Sequence, residues 1–279
     1  MDSKTLGRWD NKKNKKNQNI RLFCLTISVI LRILVKNKHN NMRVTGTKKN
    51  PNLTSTTEPQ IAAVTTTNGV KPRIHNVFIV DASGSMAGSK YENAISGVNE
   101  LLKSITTDVD TENNVMIVEF EGRNITTRLD LGQSIPKLYE GMGTDGMTPL
   151  NQAIGQTLEY VEKKRKNDYD VNDKVLVNIF TDGGENSSSG KYRDPKKLSE
   201  YIKILEDKGF TITFIGTQAE VNYAVQTLSM NSTNTLVHTN TAASVKSSFD
   251  KTLKARSAYS KSVARGEDVK AQFYTKTLD

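Results

Sequence analysis

The sequence predicts an α/β fold in which a mostly parallel central sheet of about six strands is flanked by helices on both faces. Three observations carry that expectation. Asn76–Val80 (NVFIV) and Lys174–Phe180 (KVLVNIF) are short, nearly unbroken apolar runs, as expected of strands buried on both faces. Stretches with apolar residues at helical spacing stand between such runs. Strand-like and helix-like segments then alternate along the chain, the pattern in which crossover helices return each strand parallel to the last.

Taken in order, Asn76–Val80 opens the domain, which the pattern starts near Arg73 and ends near residue 258. Ala94, Ile95, Val98, Leu101, Leu102 and Ile105 share one helical face. Val115–Phe120 reads as the second strand. Asn124–Leu131 alternates and reads as the third, joined by a hairpin through Glu121, Gly122 and Arg123. Leu150, Ala153, Ile154, Leu158 and Val161 form another amphipathic face, and Lys163, Lys164, Arg165 and Lys166 suit the C-terminal end of that helix. After KVLVNIF, a helix is expected around Leu198, Tyr201, Ile202 and Leu205. A strand follows at Phe210–Ile215, a helix near Val221–Leu228, a short strand at Thr235–His238 and a last helix marked by Val245, Phe249 and Leu253. Residues 259–279 read as a polar, loosely ordered tail.

Charge divides the chain. Of 39 Lys and Arg residues, 13 fall within residues 1–50, against 2 of the 30 Asp and Glu. The net charge of +9 therefore belongs to the N-terminal segment, and the remainder is slightly acidic. Residues 1–72 read as a basic, largely disordered arm and a Thr-, Asn- and Lys-rich linker. Such an arm suits nucleic acid or an anionic surface through residues 1–50. An apolar run at residues 22–35 is shorter than the roughly 20 residues of a spanning helix, so a membrane role is not expected, with an N-terminal anchor as the alternative to a cytoplasmic protein. Met42, after an Asn- and Lys-rich stretch, is a second candidate start. Cys24 is the one cysteine, which rules out an intrachain disulfide and a cysteine-built zinc site; His39, His75 and His238 are scattered.

Chemistry gathers where strands should end. The first strand runs into Asp81-Ala82-Ser83-Gly84-Ser85, whose alternating acid and hydroxyls can point one way. Gly146-Met147-Thr148-Pro149-Leu150 precedes a helix, with Pro149 suited to its first position. Thr181-Asp182-Gly183-Gly184 follows KVLVNIF. In open α/β sheets, ligands bind at the carboxyl ends of the strands, and hard cations take oxygen ligands.

These three pieces, in this order, resemble the metal-ion-dependent adhesion site of von Willebrand factor type A domains, over roughly residues 73–258. The resemblance implies a Rossmann-like sheet and a magnesium or manganese ion. Ser83, Ser85 and Thr148 would then bind directly, with Asp81 and Asp182 acting largely through water. It also implies a mechanism, in which an Asp or Glu of a protein partner completes the ion's coordination. Thr144 offers a rival hydroxyl, although spacing to Pro149 favours Thr148. Asp145 and Glu185 are read as solvated loop acids. Ala153-Ile154-Gly155, Thr181–Asn186 and Phe214–Gly216 extend the likeness to short A-domain proteins of bacteria and their phages, pointing to a role in intracellular complex assembly.

Other chemistries fit less well. Gly84–Tyr91 has the wrong spacing for a phosphate loop. An aspartyl phosphotransferase needs an acid where Ser83 stands, and Met86 occupies the centre of what would be a serine-hydrolase elbow. No catalytic residue is expected. A nucleic-acid-associated protein acting through the basic arm and an accessory subunit of an ATPase or chaperone machine are the alternative functions.

Overall fold

A computed structural model describes residues 70–269 and 272–275. The basic arm, the apolar run at 22–35, Met42 and nearly all of the linker lie outside the described residues. Eleven helices and strands follow in order: β1 (Arg73–Asp81), α1 (Ser89–Thr106), β2 (Glu112–Glu121), β3 (Asn124–Leu129), α2 (Leu150–Asp168), β4 (Lys174–Phe180), α3 (Pro195–Asp207), β5 (Phe210–Gly216), α4 (Gln218–Gln226), β6 (Thr235–Val237) and α5 (Ala242–Ala264). Short 3₁₀ turns occupy Gly84–Met86, Gly190–Arg193 and Ser232–Asn234.

The six strands form one sheet in the order β3-β2-β1-β4-β5-β6. All neighbours are parallel except β2 and β3, the expected hairpin. β1 and β4, the apolar runs, sit side by side at the centre, with Ile79 opposite Ile179 and Val80 opposite Phe180. This position explains their composition, because both faces are covered. One face packs under α1 and α5 through Ala94, Val98, Leu101, Val245 and Phe249. The other packs under α2, α3 and α4 through Ile154, Leu158, Leu198, Ile202 and Val221.

The winding has a consequence for the site. From β1 the chain moves through α1 toward β2 and β3, then α2 carries it back past β1 to β4, and it continues outward to β6. The loops after β1 and β4 therefore leave in opposite directions, and a crevice opens between them at the carboxyl edge. That is the topological switch point where open α/β sheets bind ligands.

The last helix differs from expectation. Residues from 259 onward read as a loose polar tail, but α5 continues to Ala264, with Tyr259 and Val263 buried. Val269, Phe273 and Tyr274 join the core beyond it. The pattern hides this because polar residues share the inner face of α5 with the apolar ones. Arg256 is buried and reaches Asp108 at 2.9 Å and the Asn113 Oδ1 at 2.6 Å. Ser260 donates to the same Asp108 carboxylate at 2.6 Å. These hydrogen bonds satisfy groups that would otherwise be costly to bury, and they hold Asp108 down to a pKa of about 2, overcoming the upward push of its burial. Among the described residues, no helix is long and apolar enough to cross a membrane.

α1 and α5 approach closely where α1 carries Gly97. A Cβ at Gly97 would stand 2.1 Å from Phe249 Cγ and 2.6 Å from its Cβ, so ring rotation alone gives no relief. Gly97→Ala gains about 1 kcal/mol of helix propensity but overpacks at a cost of about 1–3 kcal/mol. We expect a net loss of up to about 2 kcal/mol, read as a lower urea midpoint at unchanged slope. Stability at or above wild type would show that the two helices can separate freely.

Candidate metal centre

The structure brings all five sequence-predicted residues to one point on the carboxyl edge of the sheet. Asp81 is the last residue of β1 and is fully buried. Its Oδ1 accepts the Ser83 backbone N–H at 2.7 Å, which folds Asp81–Ser83 into a tight turn. Its Oδ2 accepts the Thr181 hydroxyl at 2.5 Å. Ser83 Oγ lies 3.0 Å from Ser85 Oγ, and Ser85 Oγ donates to Asp182 Oδ1 at 2.7 Å. The alternation expected of Asp81, Ser83 and Ser85 is thus present as a chain of oxygens running from one carboxylate to the other.

Thr148 completes the group. A Cβ built on Gly183 would lie 3.0 Å from Ser85 Oγ, 3.2 Å from Thr148 Oγ1 and 3.8 Å from Asp81 Oδ2. Oxygens from the β1 end and from the Thr148 loop therefore surround one small space beside the third loop, which the missing side chain of Gly183 leaves open. The donors are two carboxylates and three hydroxyls, a set of hard oxygens suited to magnesium or manganese rather than to a soft-ligand metal. No group of three or more His, Cys, Asp or Glu side chains suited to a metal occurs among the described residues. The residues present fit a divalent ion that keeps part of its water.

Backbone contacts fix the Thr148 loop over the strand ends. Gly84 N donates to Gly146 O at 3.1 Å, Asp145 N to Ala82 O at 3.0 Å, and Gly122 N to Met147 O at 2.7 Å. Gly146 has φ +64°, and a Cβ there would meet Gly122 Cα at 2.7 Å, so this approach requires glycine. Farther back, the same loop rests on Glu119, a fully buried carboxylate in β2. Tyr91 donates to Glu119, Arg128 Nε stands 3.3 Å from it, and the Tyr91 oxygen accepts Met142 N at 2.9 Å.

Several working residues escaped the sequence reading. Thr181 orients Asp81. Lys90, considered there only as part of a failed phosphate loop, places its ammonium on Asp182 Oδ2 and reaches Asn240 Oδ1 at 3.1 Å. Asn186 exchanges hydrogen bonds with the Thr148 backbone, at 2.8 Å and 3.2 Å. Glu185 is not a solvated loop acid. Its carboxylate accepts Asn151 N at 2.7 Å and Ser188 N at 2.7 Å, and so serves the first turn of α2, where Pro149 supplies no side-chain cap. Only the neighbourhood could reveal this, since the cap comes from a different loop. Asp145 is exposed and accepts its neighbour's Gly146 N at 2.7 Å, as a loop acid should.

Burial pushes the Asp81 carboxyl up to about 6, against the hydrogen bonds from Thr181 and Ser83, with Asp182 adding to the rise. The folded pKa thus exceeds the unfolded value of about 3.9. Without metal, this group costs stability as pH rises from about 4 to 6, and the cost persists above that window. A divalent ion held here would offset the cost by favouring the ionised form, and protons would compete with it below about pH 6. We therefore expect any Mn²⁺-induced rise in unfolding midpoint to be largest above pH 6 and to shrink steadily toward pH 5 in scanning calorimetry; a pH-independent rise would exclude Asp81 from the linkage. Glu185→Ala should cost about 0.5–2 kcal/mol as the loss of a helix cap. Chemical denaturation checks this, and a neutral outcome would show that water replaces the cap.

Comparison with known proteins agrees with this architecture. One relative is the magnesium-chelatase 67 kDa subunit of Heliobacterium mobile, 28% identical over 151 residues, covering 50% of this chain and 22% of that protein. Another is inter-alpha-trypsin inhibitor heavy chain H3 of Homo sapiens, 26% identical over 155 residues, covering 52% of this chain and 16% of that protein. The chain thus spans about a fifth of the length of these curated relatives. The fold matches proximal thread matrix protein 1 of the mussel byssus with a TM-score of 0.51 at 15% identity, over 66% of this chain and 48% of that one. It matches the pilus adhesin SpaC of Lactobacillus rhamnosus GG equally, with a TM-score of 0.51 at 16% identity, over 67% and 30%. The von Willebrand factor type A domain model matches residues 77–252, more than half of the sequence, and the chain belongs to that family.

Proposed function

We propose that this chain is a divalent-metal-dependent protein-binding module that works in intracellular complex assembly, with Asp81, Ser83, Ser85, Thr148 and Asp182 as its Mg²⁺ or Mn²⁺ site. The observation that carries the reading is the convergence of Ser85 Oγ, Thr148 Oγ1 and Asp81 Oδ2 around Gly183, between the ends of β1 and β4. A bound ion would supply an electrophilic position that a partner's Asp or Glu carboxylate can fill. The chain's own residues would do the rest. Ser83, Ser85 and Thr148 would offer neutral oxygens, leaving most of the positive charge for the incoming acid. Asp81 and Asp182, each already engaged by hydrogen bonds, would hold the ion largely through water. Of the two candidate threonines, the proposal takes Thr148, whose hydroxyl lies with the other donors.

A second reading, as an accessory subunit of an ATPase or chaperone machine, draws on the likeness to a protein that is itself named as a subunit. It is compatible with the first, because a metal-dependent contact could be the docking point. Neither reading assigns a catalytic residue. Binding of nucleic acid through residues 1–50 would behave differently, falling steeply with salt and surviving chelation.

Thermal unfolding of the full chain with Mg²⁺ or Mn²⁺ tests the reading. At a hundredfold excess over Kd, an ion that binds only the folded state adds about 2.7 kcal/mol. For a domain of this size that is a rise of roughly 5–10 °C. The rise should vanish in Ser83→Ala/Ser85→Ala. A rise that the double variant keeps would remove these residues from the role.

A further inference from the structure

Lys90 is out of place by the rules of local structure. It is the second residue of α1, at the end of the helix where the macrodipole favours anions and disfavours a cation. Its side chain is only 19% exposed, and its ammonium sits on Asp182, whose side chain is fully buried. A second hold, on Asn240 Oδ1 at 3.1 Å, comes from the loop between β6 and α5. A position that breaks a local rule and is compensated by a tertiary contact marks a functional constraint.

The contact also accounts for the charge of the site. Two carboxylates close the ends of adjacent strands, and Lys90 is the cation that meets one of them. With Ser85 on Oδ1 and Lys90 on Oδ2, both oxygens of Asp182 are engaged by the chain itself. We propose that Lys90 is a built-in counter-ion that sets the metal affinity of the site: it neutralises Asp182 when no metal is bound and opposes a divalent ion when one arrives. This rests on the metal-binding reading above and extends it to a residue outside the five donors. The resident ammonium keeps the site assembled without metal and weakens the ion's hold, so that a partner's carboxylate contributes substantially to retaining it.

The test is direct titration of the full chain with Mn²⁺, followed by calorimetry and by thermal unfolding, comparing wild type with Lys90→Met, Lys90→Gln and Lys90→Arg. Removing the charge should tighten Mn²⁺ binding about tenfold or more. It should also lower the metal-free unfolding midpoint, because Asp182 is left buried without its cation. Lys90→Arg should stay near wild type. A merely structural lysine would move the two readouts together, with both stability and metal affinity lost; opposite movement distinguishes the counter-ion. Lys90→Gln preserves a donor to Asn240 and carries the comparison if Lys90→Met does not fold. Wild-type binding with equal or weaker binding in the neutral variants overturns the counter-ion and leaves the metal site standing. Absence of Mn²⁺ binding in every form overturns both.

Discussion

The central constraint in this molecule is the placing of two carboxylates at the ends of adjacent, fully buried strands. β1 ends in Asp81, and Asp182 follows β4 by one residue after Thr181, where strands lie about 4.8 Å apart. Neither acid can retreat into water, since Asp81 is fully buried and the Asp182 side chain is too. Burial of a charge is costly unless hydrogen bonds or an opposite charge offset it. The surroundings read as a set of such offsets: the Ser83 N–H and Thr181 hydroxyl on Asp81, the Ser85 hydroxyl and Lys90 ammonium on Asp182. The glycines at 146 and 183 let the remaining loop and the open space come close enough to matter.

The rest of the fold serves that edge. Switching direction between β1 and β4 opens the crevice, and α2 must start beside it to deliver Thr148. The start of α2 is held from another loop, by Glu185 on Asn151 N and by Asn186 on the Thr148 backbone. The segment after β4 therefore does two things at once, presenting Asp182 and fixing the threonine. The loop leading into Thr148 is held independently by the buried Glu119 and its tyrosine and arginine partners. An acid inside the apolar strand VMIVEF has no place in a core unless something outside the strand needs it.

Legibility in the sequence followed the physics of each feature. The central strands are readable because burial on both faces makes them unbroken apolar runs, and α1 to α3 because burial on one face writes a helical period into the chain. The five donors were readable because each lies at the end of such an element, in a short local pattern. The end of α5 is hard to read because its inner face mixes apolar residues with Ser248, Thr252, Arg256 and Ser260, whose burial depends largely on partners far away in sequence. Val269, Phe273 and Tyr274 carry no period at all. Glu185 reads as solvated for the same reason, and Lys90 draws no role from the sequence. A charged residue near a turn looks solvated until its tertiary partner is known, and Lys90 carried one local sign of its role, a cation placed at a helix N-terminus.

The charges at the site suit the kind of partner proposed for it. The two buried carboxylates and the Lys90 ammonium leave the metal-free site with a net charge of about minus one, favourable for attracting a divalent cation. Once such an ion is held, the balance reverses to about plus one. Without Lys90 the loaded site would be near neutral overall, and an incoming acid would meet only the charge that the ion's neutral ligands leave exposed. With Lys90 it carries a surplus that one carboxylate neutralises, in a partly buried place where electrostatic interactions are screened less than at an open surface. On the proposed reading, the same ammonium that weakens the ion's hold would favour an acidic side chain as the ligand, adding to the selectivity that the five donors would provide.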